Sequence, residues 1–351
     1  MENLQTYLED IESRLIAEQE ERLLGECETF ARGEWTEEYF NPARTTAAPS
    51  KLDWPDININ DAIEDDELMI ISQFTNVSRM IGSNEGRLLT VRSNYGVGIL
   101  PSLFEVEKFI MPFEHNTLPN VRPFKGGVKD IRRVVDGPLP DLNAGFGKDV
   151  FRLGKRYEEI YSQFPNIAKY VRTDHPDCQG PMDICELLWG SEIFTALYDM
   201  PDLIHGLLRK VTETYKVFLG EWFKANPDKD ELHAYFGQAH LGSICVRDDS
   251  AMNISPEMCR EYIFPYDQEI LSHFGGGSIH FCGKADHYVQ YFADMNGLEA
   301  MNMSQPEYND MESIFSATVD KGLPIYGLPQ AAIDEALTAK RPLRGLVHSG
   351  S

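Results

Sequence analysis

Apolar positions along this chain recur first at helical spacing and then in short alternating runs. Leu4, Leu8, Ile11 and Leu15 fall on one face of a charged stretch, which predicts a single helix over residues 1–32. From Gly33 to Asp66 the pattern breaks at Asn41-Pro42, Pro49 and Trp54-Pro55, so this run is extended and irregular. Helix returns over residues 68–81. After Gly86, strand-like runs alternate with helical ones. Strands are predicted at 88–92, 170–173, 232–236, 243–247, 278–282, 298–303, 324–327 and 345–348. Helices are predicted at 150–163, 182–188, 202–223, 255–274 and 284–295. Ser255-Pro256-Glu257 is a strong helix start, with a capping serine, proline at the first position and an acid in the first turn. Residues 99–145 are rich in Pro and Gly and read as one long insertion.

Eight strands, most of them separated by helices, predict an α/β fold, a (β/α)8 TIM barrel. Residues 1–85 form an N-terminal helical extension and 86–351 the barrel. An open doubly wound sheet is the alternative. No G-x-G-x-x-G follows a first strand, and Gly96 and Gly98 fit a turn better than a phosphate cradle. No helix follows the last strand, so either the sequence is cut short there or the N-terminal helix is expected to cover that end.

Composition narrows the function classes. The 351 residues carry 56 acidic against 32 basic side chains, a formal net charge of −24. That argues against nucleic acid and anionic membranes as partners. No apolar run approaches the length of a membrane span, and the N-terminus lacks a basic, then apolar, leader pattern. Six cysteines without a paired framework fit free thiols in a reducing cytoplasm.

The candidate chemistry centres on Ser278-Ile279-His280-Phe281-Cys282-Gly283. Side chains alternate along a strand, so His280 and Cys282 share a face. Imidazole and thiolate are ligands that zinc prefers, and the end of a barrel strand is where active sites lie. Otherwise His280 is a neutral hydrogen-bonding group and Cys282 a small apolar one. Asp248 and Asp249 end another strand and point oppositely, so one at most faces the axis; it could bind a cationic or N–H group or relay a proton. Asn302 and Ser304 share one face, with Gln305 and Glu307 just beyond. Asn94, Tyr95, Arg172 and His240 complete the expected substrate-binding set.

Several of these stretches occur in a familiar order. Gly180-Pro181-Met182 runs on to Leu187-Leu188-Trp189-Gly190. Asp248-Asp249 leads through Ser255-Pro256-Glu257 to Phe264-Pro265-Tyr266, and Ile279-His280-Phe281-Cys282-Gly283 follows. Residues 165–351 resemble the uroporphyrinogen decarboxylase superfamily on these motifs. The resemblance implies one of two chemistries. One is metal-free decarboxylation of a tetrapyrrole, whose paired arginines in an R-Q-A-G-R-Y run have no counterpart here. The other is zinc-assisted methyl transfer between a corrinoid, free or on a corrinoid protein, and a thiol. In that branch zinc is held by His-x-Cys and a later Cys. His280 and Cys282 match the first two, Ser351 replaces the third, and His348 is the nearest substitute in sequence; Asp248, Asp249, Glu307 and His240, expected at the barrel mouth, are the other candidates for a third ligand. A non-catalytic barrel that binds a corrinoid or tetrapyrrole is the third reading.

Overall fold

The computed structural model describes residues 2–350; Ser351 lies outside them. Eleven strands are present among those residues: β1 Leu89–Val91, β2 Glu107–Phe109, β3 Asn120–Arg122, β4 Val171–Thr173, β5 Leu232–Tyr235, β6 Gln238–Leu241, β7 Ile244–Arg247, β8 Gly277–Phe281, β9 Leu298–Met303, β10 Ile325–Leu328 and β11 Val347–Ser349. Strands β7 to β11 form one parallel sheet in sequence order. Strands β1 and β4 form a separate parallel pair. Helices, including Pro181–Trp189, Pro201–Ala225, Phe264–His273 and Met311–Ala317, connect the strands and carry most of the core.

The strand β8 is buried at every position, as expected of a central strand covered on both faces. Ile279 and Phe281 join the large helical core. Ser278 and His280 point to the other, inner face. There Ser278 hydrogen-bonds the Tyr326 hydroxyl at 2.9 Å. A smaller apolar cluster fills this inner face: Ala300 and Tyr326 from the sheet meet Ala234 and Ala239, with Phe30 and Phe40 from the N-terminal part.

The expected closed cylinder is not formed as a continuous hydrogen-bonded ring. The run 232–236, expected as the third parallel strand, pairs instead with β6 as an antiparallel hairpin. Phe236 and Gly237 form its tip, both with positive φ (51° and 74°). Such a turn twists with its strands, and glycine suits it, whereas a bulky residue in that conformation is strained. A Phe at that position gives no turn signal, which is why the hairpin was hidden. The hairpin tip meets β1 through Leu88 N–H and Gly237 O, at 2.8 Å.

The free edge of β11 is covered from the N-terminal side. Phe40 N–H donates to Val347 O and Ser349 N–H donates to Phe40 O, both at 2.8 Å. The cover is therefore the segment after the helix. The expected single N-terminal helix is two, Leu4–Arg14 and Ala17–Ala31. The expected 255–274 helix is likewise broken, into Pro256–Tyr262 and Phe264–His273, because Pro265 has no N–H to continue the first. Only Val289–Ala293 of the 284–295 stretch is helical.

Candidate functional site

Parallel pairing sets Arg247, His280 and Asn302 side by side at the C-terminal ends of β7, β8 and β9. The chain leaves β8 through Cys282 and turns at Gly283, whose φ of 76° suits glycine. Asp249 follows β7. Its Oδ1 lies 3.8 Å from His280 Nε2, and it accepts the Cys282 N–H at 3.0 Å. Cys282 Sγ lies 3.4 Å from the same His280 nitrogen. One oxygen, one nitrogen and one sulfur thus lie within 4.8 Å of one another.

Hydrogen bonds fix which imidazole nitrogen is available. His280 Nδ1 contacts Asn302 Oδ1 at 2.5 Å. Asn302 Nδ2 donates to Tyr326 O and to Gln238 Oε1, so its oxygen must face the ring. The proton therefore sits on Nδ1, and the Nε2 lone pair points at Cys282 and Asp249. Burial, then the Arg247 charge, holds the imidazole below its ordinary range and keeps it neutral. Burial pushes the Cys282 thiol up. Ser304 Oγ lies 3.4 Å from Cys282 Sγ, and Gln305 Oε1 accepts the Gly283 N–H at 2.6 Å.

Sequence reasoning missed four groups here. Asp183, two residues into the helix Pro181–Trp189, accepts the Asp249 and Ser250 N–H groups at 2.8 and 2.7 Å. It holds the loop that carries Asp249. Burial and the charge of Asp249 push its carboxyl up to about 7. Asn309 holds the turn after Gly283 by accepting the Ala285 N–H. Gln238 comes from the hidden hairpin. Arg247 donates to Asp177 at 2.8 Å, with Arg92 3.6 Å from the same carboxylate. The one local signal was the Gly-Pro helix start before Asp183.

The remaining predicted residues lie elsewhere. The two aspartates diverge, though not by strand alternation, since β7 ends at Arg247 and Asp249 opens a short 3-10 turn: Asp249 joins the cluster, while Asp248 is fully buried against Asp267 on the helix Phe264–His273. His348 is not the third donor. It is buried with its ring centre 5.8 and 5.4 Å from those of Phe30 and Phe40, accepts the Gly327 N–H, and burial lowers it to about 4. His240 is buried, stacked on Tyr326, and lowered to about 3. Arg172 is spent on Asp230 and the Leu232 carbonyl. Tyr95 is buried in the helical core against Phe146. Asn94 lines a recess with Asp56 and Asn116, and Glu307 is exposed.

No protein-family model matches this chain, and no curated protein does either. Among solved structures the chain is similar to a methyltransferase from Methanosarcina mazei, at 17% identity and a TM-score of 0.61. The match covers 93% of this chain and 92% of that one. At this identity the likeness is one of fold. No helix among the described residues is long and apolar enough to cross a membrane.

Proposed function

We propose that the protein is a zinc-assisted methyltransferase that moves a methyl group from a corrinoid, free or protein-bound, to a thiol. The observation that carries this reading is the trio Asp249, His280 and Cys282, one donor each, on the end of a parallel sheet. The superfamily resemblance and the fold shared with a methyltransferase support it. On this reading the separate parts of the sheet belong to an opened (β/α)8 barrel, with the β5–β6 hairpin in the place of the third strand.

The donor set fits zinc. A neutral imidazole lone pair, a sulfur and a carboxylate oxygen are zinc's ordinary ligands, and three of them leave a position free for substrate. When bound, the metal would lower the pKa of an acceptor thiol so that it reacts as thiolate. The protein's part is to hold the donors. Asn302 fixes the imidazole tautomer, Asp183 fixes the loop of Asp249, and Ser304 touches the sulfur. In the transfer, the acceptor sulfur forms a bond to the methyl carbon as the carbon leaves its donor. The donor keeps the bonding electron pair, and the thiol proton is lost to solvent.

Elemental analysis of the purified chain should find stoichiometric zinc. Loss of methylcobalamin absorbance in the presence of a small thiol should report turnover. His280→Ala is expected to lose both. A zinc-free active wild type, or a His280→Ala chain that retains all its zinc, overturns the reading. Asn302→Leu, which removes the tautomer lock, should weaken zinc by about 10–100-fold in a chelator competition.

A further inference from the structure

A recess of about 210 Å³ lies outside the site described above, between the helix Asp66–Ile81, the segment 55–59 and the turn that follows β1. Asn and Gln amides dominate its polar lining, and Ile57, Ile59 and Leu118 supply apolar wall. Its charged lining residues, Asp56 and Arg79, are exposed and pair with each other at 3.0 Å, so the recess carries no spare charge. The observation that points to a ligand is Gln73. It sits mid-helix and is 7% exposed, yet its amide has no hydrogen-bond partner among the described residues. Neither amide atom is sealed off from solvent, so the little surface that Gln73 keeps includes both of them, in the recess that it lines. Asn94 adds a donor. Its Oδ1 is fully buried, while its Nδ2, without a partner, stays open to the recess. The neighbouring polar groups are already spent. Ser72 and Thr75 donate to carbonyls of their own helix at 2.8 Å, and Asn116 Oδ1 accepts the Ile59 N–H at 2.8 Å. Water can fill the unmade bonds of Gln73 and Asn94. A ligand that reproduces those bonds and adds apolar contact displaces it.

We propose that this recess binds a neutral carboxamide on a short aliphatic stem. The ligand oxygen accepts from Asn94 Nδ2, its NH2 group donates to Gln73 Oε1, and the stem lies on Ile57, Ile59 and Leu118. The volume equals that of about seven waters at ~30 Å³ each, which suits a ligand, or one arm of a ligand, of about six heavy atoms. An ion is disfavoured, because a charge taken out of water needs a partner and the two charged residues are occupied with each other. A nucleobase edge offers a similar donor and acceptor pair, but bases are held by stacking, and no aromatic residue lines the recess. This binding is independent of zinc and of methyl transfer, so a metal-free, inactive chain should bind the amide equally well.

Ligand-observed NMR titrations of the full chain with butyramide, butyrate, n-butylamine and 1-butanol test the site. Butyramide should bind at least about 10-fold more tightly than the other three. Gln73→Leu keeps the size of the side chain and removes its amide. It should weaken butyramide about 10-fold, which is about 1.4 kcal/mol, and leave the melting temperature no lower, because that amide has no partner within the protein. Asn94→Asp replaces the donor with an acceptor and should weaken butyramide by a similar factor; it carries the test alone if Gln73→Leu does not fold. Equal binding of butyramide and 1-butanol by the wild type overturns the site, as does an unchanged butyramide affinity in either folded variant. Tighter binding of glycerol than of butyramide assigns the recess to a polyol and also overturns it.

Discussion

Asp249→Asn should abolish zinc binding and methyl transfer, whereas His348→Phe should leave both in place. The two residues compete for the role of third donor, and geometry separates them. Asp249 lies within reach of the nitrogen of His280 and the sulfur of Cys282, while His348 is held by Phe30, Phe40 and the Gly327 N–H. Asn keeps the oxygen that accepts the Cys282 N–H, so the loop retains its shape. It lacks the charge that makes a carboxylate a good zinc ligand. Loss of a group that merely orients a ligand costs about 10–100-fold, so loss of the ligand itself should cost at least about a hundredfold in activity. His348→Phe keeps the aromatic packing and loses one buried hydrogen bond, which should cost about 1–3 kcal/mol of stability and no zinc. Elemental analysis, turnover and thermal melts on both variants decide the matter. Full zinc in Asp249→Asn, or none in a folded His348→Phe, reverses the assignment.

Asp267→Asn should raise the melting temperature by about 1–4 °C at pH 8, and the gain should vanish near pH 4. Asp267 and Asp248 are fully buried against one another, and no group outside the pair donates a hydrogen bond to either. Burial raises both carboxyls far above their ordinary range. The sign follows from proton counting. The folded state binds protons that the unfolded chain has already released, so this pair's contribution is greatest below the unfolded pKa, near 4. It declines as pH rises from there through the raised folded values. An amide at 267 cannot ionise and supplies an N–H donor to Asp248, which recovers about 1–3 kcal/mol at high pH; spread over a chain of this length, that is the stated shift. In acid the buried neutral histidines dominate in the opposite sense. His240 and His348, lowered to about 3 and about 4, contribute stability above pH 6.5 that is lost as pH falls through those values. A series of melts from pH 4 to 9 on wild type and Asp267→Asn tests both limbs. A gain that does not change with pH contradicts the account of the acid pair.

Most strands were legible because their side chains must alternate or be wholly apolar to be buried. The strand β9 spans residues 298–303 as predicted, with Met301 and Met303 in the core and Asn302 on the other face. The pair His280 and Cys282 followed from the same period of two, whereas Asp248 and Asp249 part in a 3-10 turn beyond the end of β7. The hairpin was not legible, because a Phe in a left-handed turn position carries no local preference for it. Its consequence was large: it brought Gln238 to Asn302 and left the parallel sheet open at that place. Helix breaks at Leu15–Ile16 and before Phe264 were also missed, since the apolar spacing runs through them.

The sequence by itself determined the strands of the parallel sheet and the proximity of two of the three side chains that meet at its end, because those depend on residue type and on spacing along one segment. Tertiary structure alone decided which of the candidate acids stands beside them, Asp249, and its support from Asp183. Each joins residues far apart in the chain, and only the register of neighbouring strands and the docking of a helix put such groups within hydrogen-bond distance.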